Sequence, residues 1–431
     1  KLAVAFNKII LMNTLNLCFY RHAFLIWLLL LFAGTNPTFS KTIKVGAGME
    51  YSSIKLAIKA AVAGDTLIIF KAVYKEGNII IDKPLVVLGE NRPVLDGEKK
   101  YEVISVKASD VTIKGLQIQN SGHGTLHDPG AIKVYDADNI TIEDNELVNN
   151  FFGIYIQYGK NCIIRNNTIK ASQKEEYNSG NGIHSWKSDS LQIIGNKIEG
   201  HRDGIYFEFV TNTVIWRNIS KGNLRYGLHF MFSNDNAYIG NYFKNNGAGV
   251  AVMFTKRVTM MNNTFEENWG DAAYGALFKE ITDCFLLGNT FVSNTTGLFL
   301  DGSNRIRIER NRFLSNGWGM RLQASCVDNE VLDNNFMYNT FDVATNGSLI
   351  LNTFNNNFWD KYEGYDLNRD GFGDVPFRPL SLFSVIVKKN PPAMLMYRSF
   401  MISLLDKSEK LLPSLTPEQF IDNSPRMKPF L

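Results

Sequence analysis

Residues 203–254 read DGIYFEFVTNTVIWRNISKGNLRYGLHFMFSNDNAYIGNYFKNNGAGVAVMF, and one unit recurs within them. Gly204, Gly227 and Gly249 each open an alternating apolar run: Gly-Ile-Tyr-Phe, Gly-Leu-His-Phe and Gly-Val-Ala-Val. An asparagine follows each glycine by 14 residues, at Asn218, Asn241 and Asn263. Working outward, the asparagines continue as Asn145, Asn167, Asn196, Asn289, Asn311 and Asn334, at spacings of 22 to 29 residues. Two residues after most of them stands an apolar side chain, such as Ile169, Phe243 or Phe336. Alternation is the period of a β-strand, and a fixed period near 22 residues is that of a solenoid, each repeat reading as short strand, turn, short strand, turn. Equivalent residues in successive coils then stack about 4.8 Å apart in parallel sheets, and parallel crossovers are almost always right-handed. The chain is expected to be an all-β, right-handed parallel β-helix, with the repeating Asn in a turn where it tolerates left-handed backbone and bonds to its neighbour.

A solenoid exposes unpaired strand edges at both ends and needs caps. At the front, Tyr51–Val62 has helical periodicity with Ser52 or Ser53 as N-cap. Regular repetition ends near Phe358. The expected organisation is a signal peptide over 1–40, an N-terminal cap and first strands over 41–90, and repeats over 91–358. An irregular cap over 359–392 and a helical tail over 393–431 follow. The signal peptide rests on Arg21 and the apolar run Ala23–Ala33, too short to span a bilayer comfortably. Without residues 1–40, Lys plus Arg falls from 45 to 42, matching 42 Asp plus Glu, so no nucleic-acid footprint remains. Cys162 and Cys284 share an inward column five coils apart and cannot bridge.

Several constellations carry possible chemistry. Gly122-His123-Gly124 echoes a polygalacturonase motif but lacks the grouped aspartates of that chemistry, and equally suits a glycine-rich loop. Asp366, Asn368, Asp370 and Asp374 have the spacing of early calcium-loop ligands, yet Phe377 stands where the bidentate Glu belongs, so a metal-free Asx turn is an equal alternative. Counted from the repeat glycine, position plus two reads Tyr155, His184, Tyr206, His229, Ala251, and position plus four reads Gln157, Trp186, Glu208, Met231, Met253. Both columns face outward. His229 and Met231 then lie about 6.8 Å apart on one strand, and His184 sits about 9.6 Å from His229. Thioether and imidazole form a soft set suited to Cu(I). Spacing alone favours instead an aromatic face covered by a partner or by a terminal segment. Tyr155, Trp186 and Tyr206 also offer stacking surfaces to a polysaccharide, so a polysaccharide-binding or polysaccharide-degrading protein is the rival function.

In the tail, Lys388-Lys389-Asn390-Pro391-Pro392 breaks any preceding element. Ala393–Leu412 is helical, and its charges bar it from spanning a membrane. Its apolar residues Phe400, Leu404, Leu405, Leu411 and Leu412 are expected to dock on a partner.

The stretches Asp203-Gly-Ile-Tyr-Phe, Arg225–Asn236, Gly249-Val-Ala-Val-Met-Phe, Asn357–Asp366, Asn390-Pro-Pro-Ala and Leu412-Pro-Ser-Leu-Thr-Pro together resemble the NosD family. The resemblance implies a non-catalytic periplasmic protein of denitrification that supplies copper for maturation of nitrous-oxide reductase. It implies work with a membrane ABC transporter, both its permease and its ATPase, and with a copper chaperone lipoprotein. It tips the outer columns towards copper, with His229, Met231 and Met253 as ligands and His184 or Glu208 nearby. It also implies attachment to the inner membrane through the transporter, with the tail as the docking element.

Overall fold

The period near 22 residues folds as three short strands per coil, not the two that the alternation suggested, because a second bend five residues after the first divides the coil again. Thr141–Glu143, Glu146–Val148 and Phe152–Gln157 form one such coil. In the computed structural model, which describes residues 40–124, 128–172, 175–347, 351–411 and 420–430, every strand pairs parallel with its counterpart one coil away. Three sheets result: 14 strands in sheet A, 13 in sheet B and 12 in sheet C, wound right-handed. The apolar run expected to be a signal peptide lies outside the described residues. Residues Thr42–Leu431 form one compact unit.

The glycines open the strands of sheet C, where little else fits. A Cβ on Gly204 would come within 2.5 Å of the Gly227 carbonyl oxygen of the next coil. Inward residues fill the lumen in stacks. Phe243, Phe265, Phe291, Phe313, Phe336 and Trp359 follow one another ring on ring, with centroids 4.3 to 5.4 Å apart. Each buried ring contributes on the order of 2–3 kcal/mol of hydrophobic stabilisation. The thiols of Cys162, Cys284 and Cys326 are buried and free, and burial pushes Cys162 up to about 11 and Cys284 to about 12.

The repeating Asn are buried, and their amides form a ladder. Asn167 Oδ1 accepts the main-chain N–H and the Nδ2 of Asn145 at 3.0 and 3.1 Å, and the relation recurs through Asn357 on Asn334. Each Nδ2 also donates to a main-chain carbonyl, as from Asn145 to Ile113 at 3.0 Å. The left-handed backbone belongs to the residue before each Asn, with φ of 54° at Asp144 and 56° at Asn166. The Asn is thus selected for its amide, and its neighbour makes the bend. A second ladder runs five residues later, through Asn223, Asn246, Asn268, Asn294, Asn316 and Asn339.

Both ends are closed. Helix α1 (Ile54–Ala60) is capped by Ser53, whose Oγ accepts from Leu56, and buries Ile54, Ala57 and Ile58. Glu76 accepts the free N–H groups of Ile54 and Lys55 at 2.8 and 3.0 Å. At the other end, residues 420–430 continue the solenoid. Asp422 bridges Phe354, Arg426 bridges Phe358, and Phe420 is fully buried. Helices α2 (Leu382–Lys389) and α3 (Phe400–Leu411) instead lie along the outer face of sheet C, where Phe383, Val387 and Ile402 pack on Phe341.

Candidate functional site

Pairing between sheet C strands sets the outward columns side by side. His184 aligns with Tyr206, then His229, then Ala251. Trp186 aligns with Glu208, then Met231, then Met253. The two thioethers are therefore direct cross-strand neighbours, and both are half-buried.

The face differs from an open outer surface, because its aromatic residues pack on one another. Phe151, Phe152 and Tyr155 form a buried cluster with Trp186 against it. Tyr155 is wedged between Phe152 and His184, with centroids 5.3 and 4.3 Å away, so its ring is closed to a sugar. Tyr206 is held likewise between His184 at 4.8 Å and His229 at 5.0 Å. Burial, then the Glu208 carboxylate, push the Tyr206 hydroxyl up to about 12. That hydroxyl lies 3.5 Å from Glu208 Oε2 and 3.6 Å from Met231 Sδ, linking the hard group to the soft one.

The two imidazoles differ. His184 Nδ1 lies 2.9 Å from the Asn181 side-chain amide and shares a hydrogen bond with it. Burial first, and the Arg202 charge second, push His184 down to about 3, so it stays neutral. His229 is only 5% exposed, and both its nitrogens are buried with no hydrogen-bond partner. Tyr226 flanks it on the side away from Tyr206, 4.7 Å between centroids.

Counting only positions plus two and plus four missed Asp203, at the head of its strand just before the repeat glycine. It is fully buried and takes Arg225 in a bidentate pair, Nε at 2.9 Å and the terminal nitrogen at 2.6 Å. Its Oδ2 lies 3.6 Å from His229 Nδ1. Burial would raise its carboxyl, but His229 and Arg225 outweigh this and hold it below the usual carboxylate range. Among the described residues, no three His, Cys, Asp or Glu side chains converge to hold a metal ion. A metal on this face would depend on the thioethers. His229, whose nitrogens make no hydrogen bond and whose strand also carries Met231, fits such a soft ion; His184 and Glu208 have other partners.

The Asp366–Asp374 loop turns its acceptors on its own backbone. Asp366 receives the N–H groups of Asp370 and Gly371 at 3.2 and 2.9 Å, and Asp374 receives that of Leu367 at 2.6 Å. The His123 ring packs edge-on against Phe151, 4.9 Å between centroids. On the tail, Phe400 is 84% and Leu404 51% exposed, while Leu405 packs towards Ile402 and Phe341. Leu411 ends helix α3, and Leu412 lies outside the described residues. Leu395 and Met401, at 92% and 62% exposure, extend the apolar patch.

The chain is thus a right-handed parallel β-helix whose outer face in sheet C carries His229 and Met231 on one strand and Met253 in register with Met231 on the next. A model of right-handed β-helix regions matches residues 101–180, and a model described as the periplasmic copper-binding protein NosD matches residues 171–365, which include His184, Asp203, His229, Met231 and Met253. A protein of Pseudomonas aeruginosa named as a probable ABC transporter binding protein NosD is 27% identical over 82% of this chain and 86% of its own length. Its namesake in Stutzerimonas stutzeri is 25% identical over 82% and 85%. These matches support membership of the NosD family. Among solved structures, the A-module of a mannuronan C-5 epimerase from Azotobacter vinelandii superposes with a TM-score of 0.58 at 15% identity, over 70% of this chain and 94% of the module. The Dettilon tailspike protein gives 0.53 at 14% identity, over 70% and 67%. Both likenesses are of fold alone.

Proposed function

We propose that this protein is a non-catalytic periplasmic accessory protein that takes up Cu(I) as cargo at His229, Met231 and Met253. It passes the ion on during assembly of the copper centres of nitrous-oxide reductase. The observation that carries this reading is His229 Nε2, buried without a hydrogen-bond partner on the strand that carries Met231, whose register partner is Met253. A buried polar nitrogen without a partner costs about 1–3 kcal/mol, and a soft ion shared with the thioethers would remove that cost. A polysaccharide-cleaving reading finds less support. Asp203 is held ionised by Arg225 and cannot act as the proton donor that a glycosidase requires.

The relatives' names support association with an ABC transporter. The exposed apolar patch of Phe400 and Leu404 is suited to lie on its permease, with the ATPase beyond, and so to hold the protein at the inner membrane. A copper chaperone lipoprotein would supply the ion.

Competition titration with a Cu(I) chelator tests the site. Met231→Leu with Met253→Leu keeps size and apolarity but removes both sulfurs. This double variant is expected to lose tight Cu(I) binding and to leave the reductase without copper in cells. A variant that binds and matures like the parent would place the site elsewhere.

A further inference from the structure

We infer that Asp203, held by Arg225, is a positioning residue that fixes the tautomer of His229 and leaves Nε2 as the bare nitrogen. The inference rests on the copper reading only for its purpose; the tautomer itself is a property of the chain without metal.

A neutral imidazole carries one hydrogen, and its partners decide which nitrogen holds it. The ring of His229 is held between Tyr206 and Tyr226, and its Nδ1 is the nitrogen turned to Asp203. Nδ1 faces Asp203 Oδ2 at 3.6 Å, a distance that leaves electrostatics rather than a formed hydrogen bond to act. The carboxylate is fully buried and paired with Arg225 at 2.6 and 2.9 Å, so it is ionised. An ionised oxygen repels the lone pair of a bare Nδ1 and attracts an Nδ1–H, which selects the Nδ1–H form. Nε2 is then left with a free lone pair and no partner, in a buried setting beside Tyr206. Metal-ligating imidazoles generally donate their other N–H to an acceptor behind them, a carboxylate being one of the usual kinds. The strands supply the arrangement directly. Asp203 opens one strand of sheet C, Arg225 stands just before the next, and His229 lies on that second strand, where Tyr226 pairs with Asp203.

Nitrogen-15 NMR of histidine-labelled protein without metal reports the tautomer of each ring. We expect Nδ1–H and a bare Nε2 at His229, relaxing towards a mixture in Asp203→Asn. Cu(I) affinity in that variant should fall about 10- to 100-fold, with the melting temperature measured beside it. An Nε2–H ring in the parent overturns the inference, as does a variant with unchanged tautomer and affinity. If the parent shows Nδ1–H yet binds no Cu(I), the positioning stands and the copper reading fails. The parent spectrum needs no substitution, so a variant that fails to fold leaves the test intact.

Discussion

Asp422 terminates the buried amide ladder by accepting the main-chain N–H of Asn357 at 2.9 Å and its Nδ2 at 3.0 Å. Trp359 Nε1 donates to the same oxygen at 3.0 Å. A carboxylate suits this place because it accepts without presenting a donor that would need a further coil. Asp422→Ala would strand three buried donors, at about 1–3 kcal/mol each. The expected result is a clearly lower urea midpoint, with Asp422→Asn less affected. An unchanged midpoint would mean that the cap is held by other contacts.

The tail divides between two jobs, so shortening it cannot test docking cleanly. Residues 420–430 close the solenoid, and only the helices before them present an apolar surface. Phe400→Asp with Leu404→Asp should leave the melting temperature within a degree or two, since both side chains are largely exposed. The same variant is expected to stop co-purifying with the membrane transporter. Leu405→Asp is expected to destabilise, because Leu405 packs on the Phe341 cluster. Retained co-purification by the double variant would move the docking surface onto the coils.

Acid should weaken the fold through its buried histidines. Burial pushes His201 down to about 4 and His184 to about 3. In the unfolded chain each takes up a proton as pH falls through about 6.5, while in the folded chain each stays neutral until much lower. The unfolded state therefore binds more protons between these limits. Stability is full above pH 6.5 and falls as pH drops, by up to about 1.4 kcal/mol per unit for each group. His201 occupies the second ladder, where its main-chain N–H donates to Asn223 Oδ1 at 3.1 Å. His201→Asn supplies an amide there and removes one titration, so its melting temperature should drop less than the parent's between pH 7.5 and pH 5. Equal drops would refute this.

The coil was legible because burial repeats it. Gly204, Asn218 and Phe243 each answer a constraint met again one coil later, so spacing alone revealed the coil and its stacking, but it merged two of the three strands into one. The second ladder carried the same evidence, since Asn223, Asn246, Asn268, Asn294, Asn316 and Asn339 each lie five residues after a member of the first. The columns of the site were legible as register, but their burial was not. Nothing in local spacing tells that Tyr206 and Tyr226 will clamp His229, or that Asp203 will meet it from the neighbouring strand. The tail was least legible, because Asp422 and Phe383 find their places through contacts that no repeat encodes.

X-ray absorption at the copper edge of the Cu(I)-loaded protein examines the site most directly. The arrangement of His229, Met231 and Met253 predicts sulfur and imidazole-nitrogen scatterers around one ion, with the sulfur contribution lost in Met231→Leu with Met253→Leu. A shell of nitrogen and oxygen alone, or sulfur that persists in the double variant, would contradict it.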